Sequence, residues 1–168
     1  MFEAAVLTVS DGVFAGVRAD VSGEWLVERL RRDFSVTGRA VVADDEAAIV
    51  ERLRAWTGRF ALVVSTGGTG LGPRDVTPEA VRRVITREVP GMAEAMRAPF
   101  VGSNPHAMLS RQVVGAVGST LIVALPGSAR AVAECWDAVA PAVPHALNLL
   151  AGRTAHEESS TNRAKSGE

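Results

Sequence analysis

The sequence predicts a three-layer α/β domain, in which a mostly parallel but mixed sheet carries helices on both faces. Three observations lead there. Apolar runs of four to eight residues alternate along the chain with segments of helical period. One run, "FALVVS" at 60–65, is apolar without interruption, as a strand covered on both faces is. Two further runs, "QVVGAV" and "TLIVAL", are joined by Gly118-Ser119 as a hairpin, which places an antiparallel strand in the sheet.

Taken in order, "AAVLTVS" (4–10) is the first strand. A helix over 22–34 follows, with Trp25, Leu26, Arg29 and Leu30 at helical spacing and Ser22 as its N-cap. "VTGRAVVA" is the second strand, and 45–56 a helix with Ile49, Val50, Leu53 and Trp56 on one face. After the third strand and a glycine-rich stretch, Thr77-Pro78-Glu79 reads as a helix start: cap, proline at the first position, acid in the first turn. Residues 91–110 read as a short helix and an irregular segment broken by Pro99 and Pro105. The hairpin leads into a closing helix or helix pair over 128–152, kinked near Pro141 and Pro144. The remainder is polar, so one domain is expected over 1–152 and a disordered polar tail over 153–168.

Composition narrows the function. At 168 residues, 47% apolar and 22% charged, the chain suits one soluble globular domain. A net charge of −1 with scattered arginines argues against a nucleic-acid binder. The first residues carry no basic leader, and their apolar run is too short for a signal peptide or membrane span. The single cysteine, Cys135, excludes an internal disulfide and fits a reducing cytoplasm; in "AVAECWDAV" it reads as a small core residue. The three histidines are too scattered for a metal site, and His145 reads as packed on an apolar helix.

Three strands end in small or polar residues, and in open α/β sheets ligands bind beyond the carboxyl ends of the strands. The ends are "TVSDG", "STGGTG" and "LPGS". Backbone N–H groups at such turns favour anions, above all phosphate. Gly67 to Gly72 has P-loop spacing, but Pro73 and Arg74 stand where Lys and Ser/Thr are needed, and the only lysine is Lys165. The dinucleotide fingerprint lacks its third glycine at Pro73.

Beside this cradle stand carboxylates. Asp44 and Asp45 end the second strand, where they either cap the next helix or serve chemistry. Asp75 is not required as a cap if Thr77 fills that position, and an acid beside a phosphate site calls for a bridging Mg2+. Asp11 reads as a turn residue or site acid, and Arg74 as a phosphate clamp or a surface residue. Ser110 and Arg111 fit a turn equally well.

Together "TVSDG", "STGGTGLGPRDVTPEA", "REVPGMAEAMR", "LSR" and "STLIVALPGS" resemble the MogA/MoaB family of molybdenum cofactor biosynthesis proteins, over residues 4–151 and in the same order. The resemblance implies a MogA/MoaB-like α/β fold assembling as a homotrimer. It also implies molybdopterin adenylyltransferase activity, a nucleotidyltransfer that joins molybdopterin to the adenylyl group of ATP with Mg2+ and releases pyrophosphate. On it, Asp75 and Asp44 become the catalytic, Mg2+-holding acids. Gly67, Gly68, Thr69, Gly70, Ser110 and Pro126-Gly127-Ser128 become molybdopterin and nucleotide contacts, with Ser10 and Asp11 of "TVSD" beside them. A separate molybdate-inserting protein is the implied partner. Ala43 replaces the family's usual proline and Asp45 its usual Glu, so the register of the acid pair is open. The alternative reading is a non-catalytic molybdopterin-binding or assembly protein of the same pathway.

Overall fold

A computed structural model describes residues 1–153; of the expected tail, 154–168 lie outside the described residues. The chain runs β1 (Glu3–Val9), α1 (Asp11–Phe14), α2 (Val21–Leu30), β2 (Ser35–Val42), α3 (Glu46–Trp56), β3 (Leu62–Thr66) and α4 (Thr77–Arg82). It continues through β4 (Arg87–Glu88), α5 (Pro90–Val101), a 3-10 turn (Pro105–Leu109), β5 (Val114–Val117) and β6 (Thr120–Leu125). It closes with α6 (Ala129–Val139), a 3-10 turn (Ala140–Ala142) and α7 (Val143–Leu150).

The strands form one six-stranded sheet in the order β2-β1-β3-β6-β5-β4. The pairs β1–β2, β1–β3 and β3–β6 are parallel, while β5 runs antiparallel to both neighbours, as the hairpin requires. At the hairpin turn Gly118 takes φ +56, a conformation that glycine adopts without a Cβ penalty. Side-chain alternation sends Ala4 and Val6 of β1 to one face, among Leu26, Leu30, Met96, Trp136 and Leu147 of α2, α5, α6 and α7. Ala5, Leu7 and Val9 go to the other, among Ile49, Leu53, Trp56 and Val81 of α3 and α4. All of these side chains are buried, so β1 is covered on both faces and the three layers are those expected.

Several local readings change. Asp20, not Ser22, caps α2: its carboxylate accepts from Gly23 N–H at 3.0 Å, and Thr8 Oγ1 and Arg39 also bond it. Thr77 is not the cap of α4. It is the first helical residue, fully buried, and its hydroxyl donates to the Gly67 carbonyl at 2.9 Å. Pro99 does not break its helix: it lies inside α5, two residues before the end at Val101. Pro141 does separate α6 from α7, through the short 3-10 turn. His145 is exposed rather than packed, whereas Cys135 is buried as expected. The two-residue β4 and four-residue α1 were too short to show a period.

The register sets the site. Val9 stands opposite Val42, Thr8 opposite Thr66 and Thr66 opposite Leu125, so β2, β1, β3 and β6 end level at one edge. Chain order also reverses about β1, with β2 on one side and β3 on the other. That places a crevice at the carboxyl ends of β1 and β3.

Candidate active site

The crevice is an open cleft of about 870 Å³ at that edge. Its floor is the loop after β3. Gly67 and Gly68 hold φ +100 and +66, in the region L side chains avoid, and a Cβ on Gly67 would strike the Val9 carbonyl oxygen of β1. The chain takes glycine here because the two strand ends approach each other backbone to backbone. The loop's carbonyls are used internally: Thr77 bonds Gly67 O through its hydroxyl and Gly68 O through its N–H. Several of its N–H groups are not. Among the described residues, the N–H groups of Gly68, Thr69 and Gly70 reach no protein acceptor, nor do those of Gly127 and Ser128 in the turn after β6. Unspent donors converging on one cleft make an anion site.

The sequence marked eleven residues of the cleft wall. Ser10, Asp44, Gly67, Gly68, Thr69, Gly70, Asp75, Ser110, Pro126, Gly127 and Ser128 all line it. The two adjacent acids separate cleanly. Asp45 caps α3, accepting from Ala48 N–H at 2.8 Å, while Asp44 lines the cleft with Oδ1 over Gly68, where a Cβ would come within 3.3 Å. Asp75 lines the cleft too, but it also has local work. Its Oδ2 accepts from Gly72 N–H at 2.8 Å, and a Cβ on Gly70 or Gly72 would lie 2.8 Å from that oxygen. No side chain caps α4, neither Thr77 nor Asp75, so the structural task of Asp75 is the bond from Gly72 N–H rather than a helix cap.

Asp11 and Arg74 are placed otherwise. They are not part of the cleft wall but grip each other: Arg74 Nε and Nη2 reach both Asp11 oxygens at 2.9–3.1 Å. The Asp44 N–H and the Arg74 guanidinium hold the Asp11 carboxyl below the usual carboxylate range. The Arg74 fork is therefore spent on a protein carboxylate.

Three residues were missed or undervalued. Arg111 ties down the whole glycine loop: its N–H bonds Thr69 O, Nε bonds Gly70 O at 2.8 Å, Nη2 bonds Asp75 O at 2.6 Å, and Nη1 pairs with Glu79. Burial pushes the Glu79 carboxyl up, but the Arg111 hydrogen bond, a backbone N–H and the charges of Arg111 and Arg82 together outweigh it and leave Glu79 below its usual value. Arg18 and His106 also line the cleft. No spacing rule brings Arg18, in the α1–α2 connection, or His106, in a 3-10 turn, to this edge; only the tertiary fold does.

Comparison with known proteins agrees with the fold. A family model described as "Probable molybdopterin binding domain" matches residues 5–145. Gephyrin of Dictyostelium discoideum is 36% identical over 95% of this chain, which spans 24% of that protein's length. The molybdopterin adenylyltransferase of one Helicobacter pylori strain is 37% identical over 88% of this chain and 86% of its own. Among solved structures, the molybdopterin biosynthesis enzyme MoaB of Thermus thermophilus superposes with a TM-score of 0.85 at 45% identity, covering 90% of this chain and 98% of that one. The Mog protein of Mycobacterium ulcerans superposes at 0.84 and 36% identity, covering 89% and 99%.

Proposed function

The chain belongs to the probable molybdopterin-binding domain family, and on that premise we propose that it adenylylates molybdopterin with Mg2+-ATP, releasing pyrophosphate. The observation that carries the proposal is the joint placement of Asp44, Asp75 and the unspent N–H groups of Gly68 to Gly70 in one cleft. Relatives that carry the name molybdopterin adenylyltransferase cover most of this chain and are themselves mostly covered by it.

In this reaction a phosphate oxygen of molybdopterin bonds to the α-phosphorus of ATP, and the bond from that phosphorus to the β-bridging oxygen breaks. Both partners are polyanions, so the barrier is largely one of charge and position. The loop N–H groups would take phosphate oxygens without rearranging, since Thr77 and Arg111 already fix the loop. A phosphate monoester is ionised near neutral pH, so the cleft needs no dedicated base.

Among the described residues no cluster of three or more His, Cys, Asp or Glu forms a metal cage. Two carboxylates facing a phosphate cradle nevertheless fit Mg2+, which is held through one or two acids together with substrate phosphates. Asp44 and Asp75 would hold it, and when bound it would neutralise charge on the transferred phosphate.

The bracket from Gly72 N–H to Asp75 favours a second reading, in which Asp75 only shapes the loop and the protein binds molybdopterin without reacting it. Incubation with molybdopterin, ATP and Mg2+ separates the two: molybdopterin-dependent pyrophosphate release belongs to the enzyme, and pterin binding without release to the binding protein. The family resemblance also carries a homotrimer and hand-off to a molybdate-inserting partner, and the single cysteine fits a reducing cytoplasm. Light scattering at three subunit masses would support the trimer, and one subunit mass would reject it.

A further inference from the structure

Arg18 belongs to no motif, yet it stands in the cleft wall. In the connection between α1 and α2, the N–H groups of Val17 and Arg18 bond the Gly12 carbonyl at 3.0 and 3.1 Å, and Gly16 turns at φ +73. These constraints fold the connection back toward the end of β1, where the Arg18 guanidinium donates to Ser10 Oγ at 2.7 Å. Other arginines near the site are neutralised: Arg74 by Asp11, Arg111 by Glu79, Arg39 by Asp20. Among the described residues Arg18 has no ion-pair partner, so its charge is available to a ligand.

Ser10 is 6% exposed. Its hydroxyl oxygen accepts from Val13 N–H at 3.3 Å and from Arg18, which occupies both lone pairs and leaves the O–H to donate. A planar cationic fork with most of its donors unspent, braced against a hydroxyl left as a donor, accepts a phosphate and repels a cation. It also offsets the two negative charges that Asp44 and Asp75 bring to the same cleft.

We propose that Arg18 and Ser10 form a phosphate-binding subsite of this cleft, filled by a phosphate of the nucleotide or of the pterin substrate. The inference rests on reading the cleft as a site of phosphate chemistry. Arg18 is exposed, so its replacement leaves the core intact.

The test compares wild type with Arg18→Gln, Arg18→Lys and Arg32→Gln. Arg32 is exposed, lies outside the cleft and controls for loss of one positive charge. Calorimetric titration with Mg-ATP and with pyrophosphate is paired with the KM for molybdopterin. Arg18→Gln is expected to weaken one of these about tenfold, as loss of a charged hydrogen bond does. Arg18→Lys recovers part of the loss, and Arg32→Gln stays at wild-type values. The affected ligand identifies the source of the phosphate. Unchanged affinity for every ligand, equal weakening in Arg32→Gln, or a wild type that binds none of them overturns the subsite. Arg18-dependent phosphate binding without pyrophosphate release keeps the subsite and rejects adenylyl transfer; turnover with Arg18-independent constants does the reverse.

Discussion

Asp11 and Asp44 clasp each other across the ends of β1 and β2. The Asp11 N–H donates to Asp44 Oδ2 at 2.8 Å, and the Asp44 N–H donates to Asp11 Oδ1 at 2.9 Å. Arg74 closes the arrangement by gripping both Asp11 oxygens. One oxygen of Asp44 is thus fixed from behind while the other faces Gly68. Asp11 and Arg74, which the motifs mark as site residues, act in this geometry as positioning residues for Asp44.

That role predicts non-additivity. Asp11→Ala and Arg74→Ala should each lower kcat about tenfold with KM little changed, and the double variant should fall no further than the worse single one. Steady-state kinetics on the three proteins measures it. Multiplying defects would mean that the two residues act separately, for example on substrate.

The clasp also predicts a titration. The Asp11 carboxyl is held below the ordinary range by the Asp44 N–H and the Arg74 guanidinium. Because the folded value is lowered, the clasp is intact at and above the ordinary carboxylate range and is lost as pH falls through the lowered value. Carboxyl NMR should place Asp11 below ordinary aspartates in wild type and move it upward in Arg74→Ala. An unmoved Asp11 would show that the ion pair is not formed in solution.

Asp75 has two functions that substitution can divide. Asparagine keeps an acceptor for Gly72 N–H but loses the charge. Asp75→Asn should therefore fold with wild-type stability and bind pterin while losing turnover by at least about a hundredfold, the scale of one electrostatic contact to the transition state. Asp75→Ala should lose turnover and also destabilise the loop by about 1 kcal/mol, the worth of one hydrogen bond. Full activity in Asp75→Asn would leave the residue a loop bracket alone.

Arg111 makes its bonds to Gly70 O, Asp75 O and Glu79 with a single planar fork. Arg111→Ala should cost about 2 kcal/mol in urea unfolding, given the hydrogen bonds to a charged group that it removes. Arg111→Lys should restore little, because a point charge cannot span the same acceptors. Recovery by lysine would mean that charge, not the fork, holds the loop.

Burial pushes the Cys135 thiol up to about 11, against a partial opposing effect of the Gln112 amide that bonds its sulfur. At about pH 8 the thiol is protonated, so the folded protein should resist iodoacetamide over hours and react once unfolded in urea. Rapid labelling of the folded protein would show that the cavity beside Met96 and Gln112 opens to solvent.

The layers were legible because most strands carry an apolar run, as at 60–64, or a hairpin signature, whereas the strand order and the two-residue β4 were not. The glycine loop and the level strand ends were legible for the same reason. Capping was less so: Asp20 won over Ser22, and Thr77 was claimed by the Gly67 carbonyl, a partner ten residues away that no local pattern encodes. The Asp11–Asp44 clasp, the Arg74 ion pair and the reach of Arg18 and Arg111 join elements distant in sequence. Only packing fixes them.

The most direct test follows the pterin itself. Wild-type protein is incubated with molybdopterin, ATP and Mg2+, and the products are separated and weighed by mass spectrometry, with Asp75→Asn in parallel. Adenylyl transfer predicts adenylylated molybdopterin and an equal amount of pyrophosphate from wild type, and unreacted but bound molybdopterin from Asp75→Asn. Molybdopterin bound and unmodified in both would contradict it.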